Sequence, residues 1–210
     1  MMVKTYGGSD VIRRNSIAAG YFRDPSAPGD LRRGVGVAVP VAGEHVDVTE
    51  QTIDVVIEIP RGSRNKYEMD HDTGVIRLDR RLFTATVYPA DYGFVPDTLA
   101  EDGDPLDALV LLDDATFPGC WVTARPVGML KMEDDAGPDA KLLCVPANDV
   151  RWDGVSDIAD VPAQLRDEIK HFFDVYKMLE PHKHATTEDF MDAEAAWAEI
   201  EASLARYVPH

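Results

Sequence analysis

Hydrophobic and polar positions alternate along Thr52-Ile53-Asp54-Val55-Val56-Ile57-Glu58-Ile59-Pro60. Ile53, Val55, Ile57 and Ile59 share one face and Asp54, Val56 and Glu58 the other, which predicts a strand. Pro60-Arg61-Gly62-Ser63 closes it with turn residues. Lys66 to Asp70, a turn at Asp72-Thr73-Gly74, and Val75 to Asp79 read as a hairpin. Short strands are expected near 84–88, 108–112, 121–131 and 141–146, with turns at Pro118-Gly119 and Ala136-Gly137-Pro138. The period then changes. Leu165, Ile169, Phe172, Tyr176 and Leu179 recur at steps of four and three, and so do Phe190, Ala193, Trp197, Ile200, Leu204 and Tyr207. Both lines predict amphipathic helices, the first opened by Asp160 and Pro162. Together these elements predict an α+β domain, a strand-rich barrel followed by two C-terminal α-helices.

Residues 1–51 carry no such period. They are rich in Gly, Ala, Ser, Pro and Arg, and a flexible leader is expected there. No Met lies between Met2 and Met69, so an over-called start is a second reading of this stretch, with a Val near Val41 to Val48 as initiator. Its bases (Lys4, Arg13, Arg14, Arg23, Arg32, Arg33) balance its acids (Asp10, Asp24, Asp30, Glu44, Asp47, Glu50). The net charge of −17, from 38 acids against 21 bases, therefore falls on residues 52–210. That excess disfavours binding to nucleic acid or to an anionic membrane, both of which need basic surface. No apolar run approaches the ~20 residues of a membrane helix, and the N-terminus lacks the apolar core of a secretory signal. Cys120 and Cys144 stand in apolar surroundings and are expected to be buried free thiols in a reducing cytosol, not zinc ligands.

The candidate chemistry centres on Asp102-Gly103-Asp104-Pro105-Leu106-Asp107, which runs into Ala108-Leu109-Val110-Leu111-Leu112. Two ionised carboxylates ~4 Å apart repel by about 4 kcal/mol at an effective dielectric of 20, so three at the end of a buried strand call for a cation. All-oxygen ligation suits Mg²⁺ or Mn²⁺. An EF-hand loop is a poor fit, because its sixth position needs Gly and here holds Asp107. Taken alone, the cluster is also compatible with a solvated acidic turn. A second acidic group, Glu133-Asp134-Asp135, is followed by Asp139 and Lys141 at the mouth of the apolar run Leu142-Leu143-Cys144-Val145. Spaced two apart, Asp139 and Lys141 can face the same site. Lys66, Arg80, Tyr88, Tyr92, Tyr176 and Lys177 are candidates to hold an anion bridged to metals. Singly, each also fits packing or a surface pair.

The acid cluster resembles the sequence hallmark of the soluble family I inorganic pyrophosphatases, bacterial type. So do Ile57-Glu58-Ile59-Pro60, Asn65-Lys66-Tyr67-Glu68, Leu78-Asp79-Arg80, Tyr88-Pro89 with Asp91-Tyr92-Gly93, Arg125-Pro126-Val127-Gly128, Asp139-Ala140-Lys141, and His171-Phe172-Phe173 with Tyr176-Lys177, in order and in approximate spacing over about residues 52–208. The resemblance implies an OB-like five-stranded closed β-barrel. It implies hydrolysis of inorganic pyrophosphate in the cytoplasm, with several Mg²⁺ ions per active site and Mn²⁺ or Zn²⁺ as substitutes. Asp102, Asp107 and Asp139 match metal ligands, with Asp107 shared between two metals; Asp134 and Asp139 match ligands of a third metal, and Glu58 matches a ligand of a further one. Lys66, Arg80, Tyr92, Tyr176 and Lys177 match phosphate contacts, and Tyr88 and Lys141 supporting positions around the substrate. Asp104 matches the general base, with Asp139 as the alternative proton acceptor. The partner implied is pyrophosphate, with no nucleic acid and no membrane, in a homo-oligomer, commonly a homohexamer. Arg81, the Pro181-His182-Lys183-His184-Ala185 segment and the leader depart from the usual pattern. Other readings are a Mg²⁺-dependent phosphohydrolase acting on nucleotides or polyphosphate, a non-enzymatic acidic binding module, and an OB-like nucleic-acid binder.

Overall fold

The computed structural model describes residues 51–135 and 137–209. The expected leader, apart from Gln51, lies outside the described residues. Strands β1 (Ile53–Ile59), β2 (Asn65–Asp70), β3 (Val75–Arg81), β4 (Asp91–Phe94), β5 (Asp107–Val110), β6 (Trp121–Asp134), β7 (Gly137–Pro138) and β8 (Lys141–Pro146) come first. Helix α1 (Ala163–Val175), strand β9 (Ala185–Met191) and helix α2 (Ala193–Arg206) follow. Hydrogen-bonded neighbours run β1-β4-β5-β8-β6, and β6 pairs back onto β1, so five strands close into a barrel. Closure removes the open edges that would otherwise need covering. The expected α+β, OB-like architecture is therefore present.

Within the barrel only β5 and β8 run parallel. Their alternate side chains enter two different cores. Leu109, Leu111, Leu143 and Val145 pack with Ile169, Phe172 and Phe173 of α1. Ala108, Val110, Leu142 and Cys144 pack with Ala196 and Ile200 of α2. Strands buried on both faces read as unbroken apolar runs, as these two do. Strand β6 carries the rest. Register shifts between Pro126 and Gly128 and between Leu130 and Met132 let its 14 residues serve β1, β8, β7 and β9 in turn. The β2–β3 hairpin forms a separate two-stranded sheet.

Three expectations are corrected. Residues 84–88 form no strand. Thr84 is buried while Phe83 and Val87 are exposed, so the pattern is inside-out for a strand, and Pro89 follows without an N–H to continue a ladder. The strand of this region is β4, Asp91–Phe94. The first helix ends at Val175 rather than reaching Leu179, which is exposed; the backbone tightens as Met178 N–H donates to the Val175 carbonyl and Glu180 N–H to that of Lys177. Phe190 lies in β9, paired with Leu130, and does not start the second helix. That helix begins after Asp192, whose carboxylate accepts from Ala195 N–H at 2.9 Å. The polar run Thr186-Thr187-Glu188-Asp189 hides β9, which among the described residues pairs with β6 alone.

The barrel leaves no room for a side chain at Gly93, opposite Ile57, where a Cβ would stand 1.9 Å from the Val56 carbonyl oxygen. We expect Gly93→Ala to lower the unfolding free energy by at least ~2 kcal/mol in urea denaturation. Gly154→Ala, with nothing within 4 Å, is the control and should shift it by less than ~0.5 kcal/mol. Equal stabilities for the two variants would contradict this packing.

Candidate active site

Parallel pairing of β5 with β8 sets Asp107 opposite Lys141 at the starts of two neighbouring strands. Asp139 lies two residues before Lys141 and is buried. The Lys141 ammonium, only 3% exposed, donates to Asp107 Oδ2 and to Asp139 Oδ1. It also sits 5.8 Å from the centroid of the Tyr92 ring. The two carboxylates hold the Lys141 ammonium above its ordinary pKa although burial opposes this. Burial pushes the Asp139 carboxyl up to about 6; Lys141 opposes the shift, and the Asp107 and Asp102 charges add to it.

Asp102 arrives from the loop before β5. Gly103, with φ +95°, makes the turn there, and Asp102 Oδ1 accepts from Asp104 N–H at 3.1 Å. Burial raises the Asp102 carboxyl; the Asp104 N–H bond opposes this, and the Asp107 and Asp104 charges add to it. Asp104 is exposed. Among the described residues, no three His, Cys, Asp or Glu side chains stand close enough together to enclose an ion. Lys141 supplies the positive charge at the point where Asp107 and Asp139 meet. The donors themselves, carboxylate oxygens of Asp102, Asp107 and Asp139, suit a hard divalent cation.

The remaining candidates surround this centre. Tyr92 is raised well above its usual range by burial and then by Asp107 and Asp139. Tyr88 is raised by burial and then by Tyr176, while Lys141 opposes the shift. Tyr176 is raised by burial and then by Asp139, Asp134 and Asp107. Lys177 Nζ donates to Asp134 Oδ2 at 2.6 Å and lies 5.3 Å from the Tyr176 ring centroid. Lys66, on β2, pairs with Glu68. Arg80, on β3, pairs with Asp79 and with Glu180. Burial lowers the Arg80 guanidinium, but Glu180 and Asp79 outweigh it and leave it above its ordinary value. Glu58, on β1, is buried and accepts from Met69 N–H at 2.6 Å. The structure thus gathers residues from β1, β2, β3, β4, β5, β6 and β8 and from the turn that follows α1.

The family model for inorganic pyrophosphatase matches residues 55–208. This chain belongs to the inorganic pyrophosphatase family. The inorganic pyrophosphatase of Streptomyces coelicolor is 60% identical over 154 residues, which is 73% of this chain and 94% of that one. That of Methanosarcina mazei is 53% identical over 161 residues, 76% of this chain and 95% of that one. Among solved structures, the pyrophosphatase from Thermus thermophilus superposes with a TM-score of 0.73 at 49% identity, covering 81% of this chain and 97% of its own.

Sequence reasoning does not single out three acids that hold this family member's candidate cations: Glu68 and Asp79, which stand only within motifs, and Glu180. Glu180 pairs with Arg80 across 100 residues, and no local spacing signals that. The departing histidines lie outside the cluster: His182 is exposed, and the exposed His184 pairs with Asp135 at 2.5 Å.

Burial pushes the Glu58 carboxyl up to about 7; the Met69 N–H bond opposes this, Asp107 adds to it, and Lys66 opposes it. The folded protein therefore keeps a proton that the unfolded chain releases above about 4.5. In cation-free buffer its stability should fall as pH rises from about 4.5 to about 7, with an upper bound of about 3 kcal/mol from this group. Urea denaturation of wild type and Glu58→Gln in a chelating buffer measures it: the difference in stability between the two should change across that window. A difference independent of pH would contradict the burial of this carboxyl.

Proposed function

We propose that the chain catalyses hydrolysis of inorganic pyrophosphate to two phosphates, and that residues 52–210 are its catalytic domain. The observation that carries this is the buried Lys141 ammonium held between the buried Asp139 and the partly buried Asp107, beside three buried tyrosines and with Lys66, Arg80 and Lys177 around them. Acids alone would suit a metal-binding module. Acids with cations and hydroxyls suit a metal-dependent site for a small, highly charged anion.

Asp102, Asp107 and Asp139 would hold Mg²⁺, with Asp134 and Glu58 as further ligands. Bound divalent cation supplies charge neutralisation for the anion and makes a water a better nucleophile at neutral pH. The protein does the remaining work. Lys66, Arg80 and Lys177 hold phosphate oxygens through charge-assisted hydrogen bonds. Tyr92 and Tyr176, kept neutral by burial, donate from a site of low polarity, where such bonds count for more. Tyr88 and Lys141 fix the positions of the groups around them. Asp104, open to solvent at the rim, accepts the proton of the attacking water. Asp139 is the alternative acceptor.

The finer expectations belong here too. Mn²⁺ and Zn²⁺ would be substitutes for Mg²⁺, and the working compartment would be the cytoplasm. Among the described residues no helix is long and apolar enough to cross a membrane. The chain would assemble as a homohexamer. Supporting this are large apolar side chains left in solvent, among them Leu78, Phe117 and Trp121.

Phosphate release from pyrophosphate with Mg²⁺ tests the proposal. Wild type should turn over, Asp104→Asn should be slower by ~10²–10⁴-fold, and ATP and tripolyphosphate should be poorer substrates than pyrophosphate. No turnover of pyrophosphate by wild type, or faster turnover of ATP, would overturn it. Light scattering on the same sample should give the mass of six chains; a single-chain mass would reject the assembly while leaving the activity to the assay.

A further inference from the structure

Glu180 is the least expected member of the site. Its side chain is 5% exposed, and it lies in the turn after α1, its N–H bonded to the Lys177 carbonyl. A buried carboxylate is costly unless it is paired and hydrogen-bonded. Here it is paired twice with one guanidinium: Arg80 Nε donates to Oε1 at 3.0 Å, and Arg80 Nη2 lies 3.0 Å from Oε2. Lys183 Nζ adds a longer contact at 3.5 Å. The two-point fork fixes the plane of the guanidinium as well as its distance.

The donor inventory makes this directional. A guanidinium has five N–H groups and no acceptor. Glu180 takes the side edge formed by Nε and Nη2, and Asp79 accepts from Nη1. The outer end, between Nη1 and Nη2, keeps donors for an anion. The same carboxylate lies three residues beyond Lys177 and four beyond Tyr176, so it couples the end of α1 to strand β3. Three candidate phosphate-holding groups, Arg80, Tyr176 and Lys177, are thereby tied into one body. Lys66, by contrast, pairs with Glu68, an exposed neighbour on its own strand, which constrains it less.

We propose that Glu180 is a positioning residue for pyrophosphate hydrolysis, aiming the free end of the Arg80 guanidinium at a phosphate of the substrate. This rests on the function proposed above. Glu180 touches neither substrate nor reacting water; it acts through Arg80.

The test is a double-mutant cycle on the full chain, using Glu180→Gln, Arg80→Lys and the double variant with pyrophosphate and Mg²⁺. Glu180→Gln should lower kcat/KM by ~10- to 100-fold, as expected when a binding group is misaimed. Glu180→Asp, which keeps the charge on a shorter arm, should recover part of the loss. In the Arg80→Lys background, where the fork is already broken, Glu180→Gln should add less than about threefold. Circular dichroism and melting curves identify any variant that fails to fold, in which case Glu180→Asp carries the comparison. Wild-type kcat/KM in Glu180→Gln, or losses that multiply in the double variant, would overturn the proposal. A second readout does not depend on turnover. Inorganic phosphate should shift the ¹⁵Nε–¹H resonance of Arg80 in wild type and much less in Glu180→Gln; equal shifts would overturn the positioning role. Should wild type fail to turn over pyrophosphate, the function proposed above falls. The phosphate titration then still decides whether Glu180 aims Arg80 at an anion.

Discussion

A single ammonium, that of Lys141, is buried between the carboxylates of Asp107 and Asp139 at the parallel seam of a closed barrel. Removing three charges from water is expensive, and only their mutual contact makes it tolerable. The seam explains how the contact arises. Asp107 and Lys141 are partners in register, and Asp139 is two residues from Lys141, so strand geometry alone brings the charges together. Leu106, Ala108 and Leu142, fully buried beside them, lock the strand ends in place. The barrel closes through β1 and β6, and that closure keeps β5 and β8 from sliding past one another.

From this centre the site divides into two kinds of surface. On the acid side, Asp102, Asp107, Asp139 and Glu58 crowd one another, and the buried ones are pushed toward the protonated form. Such a surface is under electrostatic stress that a divalent cation would relieve. On the other side every candidate cation is already latched to an acid: Lys66 to Glu68, Arg80 to Asp79 and Glu180, and Lys177 to Asp134. The Lys177–Asp134 pair spans the two sides. An incoming anion with its metals would offer both partners a better match than each other. The three tyrosines between the sides are desolvated and neutral, so they offer donors without adding charge.

Much of this was legible in the sequence. Asp102-Gly103-Asp104-Pro105-Leu106-Asp107 announces its chemistry because charge is crowded against an apolar run. The barrel strands β1, β5, β6 and β8 announce themselves by period or by continuous apolarity. The misses share a physical origin. Strand β4 has four residues, Asp91-Tyr92-Gly93-Phe94, too few to show a period. Strand β9 is mostly polar because much of it faces solvent, and Phe190 happened to fall in step with the helix beyond it. Tyr176 keeps the helical spacing although it stands just past the last helical residue. Glu180 could not be seen at all, since its role follows from a partner a hundred residues earlier.

The claim that Asp107 and Asp139, held by Lys141, form the seat of a divalent cation is open to direct measurement. Mn²⁺ binding to the cation-free protein, followed by the loss of free-ion electron paramagnetic resonance signal, reads it without any need for turnover. Wild type should bind Mn²⁺, and Asp107→Asn combined with Asp139→Asn should weaken the tightest site by tenfold or more. Unchanged Mn²⁺ affinity in the double variant, with the fold intact by circular dichroism, would contradict it.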